Sequence, residues 1–128
     1  MWREYNPSPS GRRVGDCSIR AIAKALNVDW EMAYIMVAVE GFIEADMPSS
    51  NAVFGSVLKK NGFKRYVIPD SCPACYTVSE FCYDNPEGTF VIGTGSHVVT
   101  AVNGDYYDTW DSGQEVVQYV WEKNKEDR

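Results

Sequence analysis

The spacing of the apolar residues changes once along this chain, and the change limits the folds it can adopt. Near the N-terminus, apolar residues recur at the i, i+3, i+4, i+7 spacing of a helix with one buried face: Ile19, Ile22, Ala23 and Leu26. In the last third the pattern becomes that of strands, and Asn103-Gly104 is a strong signal for a two-residue hairpin turn. Helices followed by hairpin-connected strands predict an α+β fold with a C-terminal antiparallel sheet.

Capping residues divide the chain into elements. Asp16 is a candidate N-cap for the first helix and Asn27 ends it; Asp29 begins a second helix, which Gly41 would end. Thr77-Val78-Ser79-Glu80 fits a capping box. The predicted helices lie within residues 16–27, 29–40, 50–62 and 78–85, and the predicted strands cover 64–68, 89–92, 96–102, 105–110 and 116–121.

Length and composition narrow the classes of protein that remain. The chain has 128 residues, which predicts a single domain over residues 1–128. With 12 basic and 18 acidic residues its net charge is −6, which argues against a nucleic-acid-binding role. The longest apolar run, Met32 to Val39, is too short to span a membrane, and the first residues lack the apolar segment of a signal peptide. We therefore expect a cytoplasmic protein that binds neither membrane nor nucleic acid.

Cys17 and His97 are the first two candidates for a chemical role. Cys17 falls in the first turn of the first predicted helix, where unpaired N–H groups and the helix dipole lower the pKa of a thiol and favour the nucleophilic thiolate. His97, the single histidine, begins a predicted strand. The alternative interpretation is structural: a small buried cysteine and a histidine that only supports the fold.

The predicted hairpin supplies a third candidate. A turn at Asn103-Gly104 places His97 opposite Trp110, with Asp108 as its diagonal neighbour on the same face, roughly 7 Å away between backbones. Asp111 has the opposite parity and is expected on the other face. This register selects Asp108 as the partner of His97, although a β-bulge would reverse the choice.

Three short motifs carry a resemblance to a known family. They are Gly15-Asp16-Cys17 at a helix start, Ser96-His97-Val98-Val99 on a strand, and the run Asp108-Thr109-Trp110-Asp111-Ser112-Gly113. Together they resemble the papain-like cysteine peptidase superfamily, in which the nucleophile follows a Gly-x-Cys pattern and the third residue lies in an Asn-x-Trp pattern. With Asp in place of Asn, the chain is also similar to the bacteriocin-processing cysteine peptidases.

The resemblance implies both a fold and an activity. The fold would be papain-like, with N-terminal helices, the nucleophile at the start of the first one, and a C-terminal antiparallel sheet. The activity would be a thiol hydrolase that cleaves a peptide or isopeptide amide of a peptide or protein substrate through Cys17, His97 and Asp108, with an acyl-enzyme and no cofactor. Trp110 would shield the histidine hydrogen bond. Acyl transfer would use the same intermediate.

One departure from the family concerns the oxyanion hole. Position 11, where both families place a glutamine, holds Gly11. Asn6 is the nearest chemical substitute, ahead of Ser10, Arg12 and Arg13, although Asn6-Pro7 also fits a simple turn. The departure keeps a second hypothesis open, in which a weak or inactive papain-like domain serves as a binding or inhibitory module.

The remaining cysteines offer a third hypothesis. Without an export signal, all four cysteines are interpreted as thiols. Cys72-Pro73-Ala74-Cys75, with Cys82 and His97, has the ligand types of a Cys₃His zinc site, which would make the chain a zinc-stabilised interaction domain. Structural zinc sites usually show two paired ligand units, and only one is present here.

Overall fold

The computed structural model describes residues 1–69 and 75–124, and within them the chain is α+β. The helices are α1 (Cys17–Leu26), α2 (Trp30–Glu44), α3 (Asn51–Lys60) and α4 (Val78–Asp84). The strands are β1 (Trp2–Glu4), β2 (Phe63–Val67), β3 (Thr89–Gly93), β4 (Val98–Val102), β5 (Asp105–Asp108) and β6 (Tyr119–Lys123).

The strands form one six-stranded sheet in the order β1-β5-β4-β3-β6-β2. It is mixed, because β1 pairs parallel with β5 while the other pairs are antiparallel. The expectation of a purely antiparallel, C-terminal sheet is therefore wrong. The parallel strand β1 has only three residues, which are too few to show an alternating pattern in the sequence.

The hairpin of β4 and β5 has the predicted register. Thr100 pairs with Tyr107 and Val102 with Asp105. Asn103 and Gly104 turn the chain with φ of 50° and 85°, the left-handed values that a two-residue hairpin loop requires. Because β4 begins at residue 98 and β5 ends at residue 108, residues 97 and 108 lie at the same end of this hairpin.

The sheet has a helical layer on each face. Residues of α1, α2 and α3 form one apolar cluster with Phe63, Val91, Val98 and Trp121 of the sheet. Residues of α4 form a second cluster with apolar side chains that include Phe90, Ile92, Val99 and Val120. Neighbouring residues of one strand belong to different clusters: Val91 lies in the first, and Phe90 and Ile92 lie in the second. Alternate side chains of the strand therefore point to opposite faces of the sheet. Helix α1 also accepts a buried hydrogen bond from the sheet, Thr100 Oγ1 to the Ala21 carbonyl at 2.7 Å.

Most predicted helix ends are confirmed, with one exception. The capping box at Thr77 is present, and Asn27 ends α1 in the left-handed conformation. Helix α2, in contrast, runs through Gly41 and ends at Ala45, which adopts φ of 55°. Gly41 is needed for space, because a Cβ there would lie 2.9 Å from the carbonyl oxygen of Asp46.

The outward surface of α2 is apolar. Its exposed side chains include Met32, Ile35, Val39, Phe42 and Ile43. In the part of the chain that the structure describes, α2 and the other helices are all too short or too polar to cross a membrane.

Replacing Gly41 with alanine tests its role in helix packing. Helix propensity alone would make Gly41→Ala more stable by about 1 kcal/mol, whereas overpacking against a backbone carbonyl costs about 1–3 kcal/mol. We expect a net decrease in the free energy of unfolding, measured by urea denaturation. The reverse change at half-buried Ala38 in the same helix, Ala38→Gly, reports the propensity effect alone; a Gly41→Ala protein more stable than the parent would contradict the packing argument.

Candidate active site

Cys17 is the first residue of α1. The chain approaches it through an irregular segment, and Asp16 precedes the helix without making a side-chain capping hydrogen bond. The first N–H groups of a helix lack partners within the helix, so the backbone at Cys17 presents donors and a positive dipole end. The thiol is half-buried, which leaves it open to a cleft.

His97 and Asp108 meet where the β4–β5 hairpin opens. Nε2 of His97 lies 2.6 Å from Oδ2 of Asp108. The backbone of His97 is fixed by Thr94, whose N–H and hydroxyl both donate to the His97 carbonyl, at 2.8 and 3.2 Å. The backbone of Asp108 is fixed by the N-terminal segment, because its carbonyl accepts from Trp2 Nε1 at 3.1 Å and from the Tyr5 amide at 2.9 Å. Strand β1, which the sequence does not predict, therefore helps to position Asp108.

The thiol of Cys17 and the imidazole of His97 line the same cleft, and each shifts the pKa of the other. Because Nε2 of the imidazole is directed at Asp108, Nδ1 is the nitrogen left for the thiol. The structure thus brings the predicted Cys17, His97 and Asp108 together in one row.

The environment of Cys17 favours its thiolate. Burial raises the pKa of the thiol, but hydrogen bonds from His97 and from the Val98 backbone, together with the charges of His97 and Arg20, lower it by more. The pKa of Cys17 therefore lies below the ordinary value of a thiol.

The environment of His97 favours the imidazolium. Burial lowers its pKa, but hydrogen bonds to Asp108 and Cys17 and their negative charges raise it to about 9. The two shifts both favour a thiolate–imidazolium pair, because the thiol pKa is lowered and the imidazole pKa is raised.

Asp108 is a buried carboxylate with several donors. Its side chain is 1% exposed. Oδ2 accepts from His97 and from Ser112 Oγ at 2.7 Å, while Oδ1 accepts from the Thr109 amide at 2.8 Å and from Arg20 Nη2 at 3.0 Å. Burial raises the pKa of this carboxyl, but the hydrogen bonds from His97 and Ser112 outweigh that effect and lower it. Asp108 therefore stays ionised beside the imidazolium.

Arg20 is the main site residue that sequence reasoning missed. It is buried and connects Asp108 to Asp16, which also accepts from Trp30 Nε1 at 2.8 Å. The predicted N-cap side chain of Asp16 is thus used for an ion pair instead. A signal was available: Asp16 and Arg20 have the i, i+4 spacing of a helical ion pair, and Arg20 lies three residues after Cys17, on the same side of α1.

Trp110 contacts the imidazole, as the resemblance implies. Its ring centroid lies 5.1 Å from that of His97 with the planes at 43°, and the tryptophan is partly exposed. The indole therefore packs against the imidazole while part of it stays exposed to solvent. Asp111 is used elsewhere, accepting from the Tyr106 hydroxyl and from the Gly113 amide.

A cleft of about 350 Å³ opens beside Cys17 and His97. Its lining combines small, polar and aromatic residues: Gly15, Ser18, Ser49, Asn51, Phe54, Thr94, Gly95, Ser96, Val98, Gln118 and Tyr119.

Asn6 is not among the residues that line this cleft in the described part of the chain. Its amide donates to the Arg12 carbonyl at 3.2 Å and its oxygen accepts from the Ser8 amide at 3.4 Å. Both polar groups of the Asn6 side chain bond within the N-terminal turn, so this geometry gives no support to the expectation that Asn6 completes the oxyanion hole.

The remaining cysteines do not gather around a metal in the described part of the chain. There, no group of three His, Cys, Asp or Glu side chains is arranged to hold an ion. Cys82 is buried in the α4 layer, where burial raises its pKa to about 11, and Cys72 lies outside the described residues. Cys75 is disulfide-bonded, which corrects the interpretation of all four cysteines as thiols.

Comparison with known proteins adds no family to these observations: no family model, curated protein or solved structure matches the chain. The class that the structure defines is an α+β protein with a six-stranded mixed sheet between two helical layers.

Removing the Arg20 charge should strongly destabilise the protein. Arg20→Met leaves the buried carboxylates of Asp16 and Asp108 without their shared cation, a change that typically costs about 3–5 kcal/mol. Urea denaturation at neutral pH measures the loss. Arg13→Met, which removes an exposed arginine, serves as the control and should change the free energy of unfolding by under about 0.5 kcal/mol. Equal effects of the two substitutions would show that the Arg20 ion pairs contribute little.

The single histidine allows a direct measurement of its pKa. An NMR titration of the His97 Cε1–H signal should give a value near 9. Asp108→Asn removes the carboxylate charge and Cys17→Ala removes the thiolate, so each should lower that pKa toward 6.5, the ordinary value. A parent pKa near 6.5 would contradict the ion pair.

Proposed function

We propose that this chain is a small papain-like thiol hydrolase that cleaves a peptide or isopeptide amide through Cys17, His97 and Asp108. The supporting observation is the contact row itself: a cysteine at a helix N-terminus, a histidine against its thiol, and a buried carboxylate on the far nitrogen of the ring. Each member of this row has the environment that its role requires.

The fold supports the same proposal. The nucleophile lies at the start of the first helix, that helix packs on β4, and the other two residues lie at the open end of the β4–β5 hairpin. These are the positions that the resemblance to papain-like peptidases implies. The mixed character of the sheet does not alter them, because β1 is added at the edge beside β5.

The reaction begins when the Cys17 thiolate attacks the carbonyl carbon of the amide. The carbonyl π electrons move onto oxygen, and the oxyanion accepts a hydrogen bond from the Cys17 backbone N–H. When the intermediate collapses, the C–N bond breaks and the proton on Nδ1 of His97 passes to the leaving nitrogen. The product amine departs and the acyl group remains on sulfur as a thioester.

Deacylation uses the same residues in reverse order. Neutral His97 takes a proton from water, whose oxygen attacks the thioester carbonyl, and the C–S bond breaks to release the acid and regenerate the thiolate. Asp108 keeps the ring oriented and stabilises the imidazolium in both steps. An amine in place of water would give acyl transfer with the same balance of atoms.

The pH dependence of alkylation tests this proposal. Iodoacetamide reacts with thiolates, so Cys17 should react readily near pH 6, where an ordinary thiol of pKa about 8.5 is almost fully protonated. His97→Ala removes the imidazolium and should slow the reaction at pH 6 by about tenfold or more, since one pKa unit is a tenfold change in thiolate. Peptide mapping reads the rate at each cysteine.

Buried Cys82 serves as the internal control for this measurement and should remain unreactive in both proteins. If Cys17 reacts only near pH 8.5, or if its rate at pH 6 is the same without His97, the hydrolase proposal fails. The non-catalytic binding module would then be the better description of this chain.

A further inference from the structure

The cleft contains an aromatic hydroxyl that the proposed mechanism has not used. Tyr119 is the first residue of β6, and in the sheet it pairs with Gly93, the last residue of β3. It is half-buried, lines the cleft together with Cys17, and packs against the same apolar cluster as Cys17.

The missing side chain of Gly93 determines where the tyrosine ring lies. A Cβ at Gly93 would fall 2.0 Å from Cζ of Tyr119, and 2.3 and 2.4 Å from the two Cε atoms. The far end of the ring therefore rests directly on the backbone of β3. Any other residue at position 93 would displace it.

The order of the strands then gives the direction of the hydroxyl. Strand β3 lies between β6 and β4, and Gly93 pairs with Val98 on its other side. A ring that starts on β6 and ends over Gly93 carries its hydroxyl toward Val98, the residue after His97 and a backbone neighbour of the Cys17 thiol. Tyr119 thus reaches the cleft from the sheet.

The hydroxyl is kept in its protonated, donating form. Burial raises the pKa of Tyr119; the guanidinium of Arg65, 4.5 Å from the ring centre, lowers it, and the negative charge of Cys17 raises it, with a net increase. The charge of Cys17 is the smallest of these three influences, and both residues line the same cleft.

We propose that the hydroxyl of Tyr119 is the side-chain donor of the oxyanion hole, acting with the backbone N–H of Cys17. The inference rests on the proposed function. As the thiolate attacks and the carbonyl electrons move onto oxygen, Tyr119 O–H donates a hydrogen bond to that oxygen and keeps its proton. It supplies the donor that neither Gly11 nor Asn6 provides.

Two electrophiles that use the same thiolate test this role. Acylation by p-nitrophenyl acetate passes through an oxyanion, whereas alkylation by iodoacetamide displaces iodide and forms none. Tyr119→Phe keeps the ring on Gly93 and removes only the hydroxyl. We expect its acylation rate, measured from the p-nitrophenol burst, to fall about 100-fold, the effect of losing one oxyanion donor, while its alkylation rate stays within about twofold of the parent's.

Two other variants complete the experiment. Tyr66→Phe, on strand β2 and outside the described lining of the cleft, is the matched loss of a tyrosine hydroxyl and should acylate at the parental rate. Gly93→Ala forces the ring of Tyr119 to move and should lower acylation as Tyr119→Phe does, provided that its His97 NMR signal is that of a folded protein.

Each contrary result has a separate meaning. If Tyr119→Phe is acylated at the parental rate, the inference is overturned. It is also overturned if Gln118→Ala, and not Tyr119→Phe, shows a large fall in the acylation rate, because the donor would then be the Gln118 amide in the cleft. An equal fall in alkylation and acylation would show that Tyr119 stabilises the thiolate, which also overturns it. If the parent protein shows neither a burst nor fast alkylation at pH 6, the hydrolase proposal itself has failed and the oxyanion role fails with it.

Discussion

The buried carboxylate of Asp108 is the group on which the rest of the site depends. A carboxylate removed from water is unfavourable unless donors replace its hydration, and here four donors do so, from His97, Arg20, Ser112 and the Thr109 backbone. These donors come from different parts of the chain. Satisfying one charge therefore fixes helix α1, the loop before β4 and the loop after β5 relative to one another.

The same interaction couples the stability of the fold to the chemistry of the site. Asp108 raises the pKa of His97, and His97 lowers that of Cys17. A histidine whose pKa is raised on folding contributes stability below its unfolded value of 6.5, and that contribution is lost as the pH rises through about 9. The Cys17 thiol acts in the opposite sense, because its lowered pKa contributes stability at high pH, which is lost as the pH falls. The two contributions to stability therefore have opposite pH dependences, although the interaction between the two groups is strongest when both are charged.

Local sequence signals were sufficient for much of this site. The turn at Asn103-Gly104 fixed the register that brings Asp108 to His97, because a two-residue loop leaves one pairing open to its strands. The start of α1 placed Cys17 correctly for a similar reason: the periodic apolar residues that follow it define the helix. In both cases the information lies within a short stretch of chain.

Long-range contacts were not available to the same reasoning. The parallel pairing of β1 beside β5 joins residues about a hundred positions apart, and three residues carry no period. The burial of Arg20 depends on a carboxylate from the other end of the chain. The sequence predicts Tyr119 in the interior of a strand over 116–121, whereas it begins β6. Only its packing on Gly93 of the neighbouring strand shows where its ring lies.

The cleft beside Cys17 holds few side chains that can carry a charge. Apart from His97 and Cys17, its described lining holds no ionisable acid or base except the tyrosine. The rest of the lining is serine, threonine, asparagine, glutamine and glycine, with Phe54 and Val98. The chain as a whole has a net charge of −6. The cleft therefore does not select a ligand by its charge through direct contacts. The net charge of the protein acts on an approaching ligand through an electrostatic field, which salt screens within about 8 Å at physiological ionic strength. For the peptide substrate proposed above, a neutral segment should enter at a rate that salt leaves unchanged, whereas an acidic one should be repelled in dilute buffer and admitted more readily as salt is added.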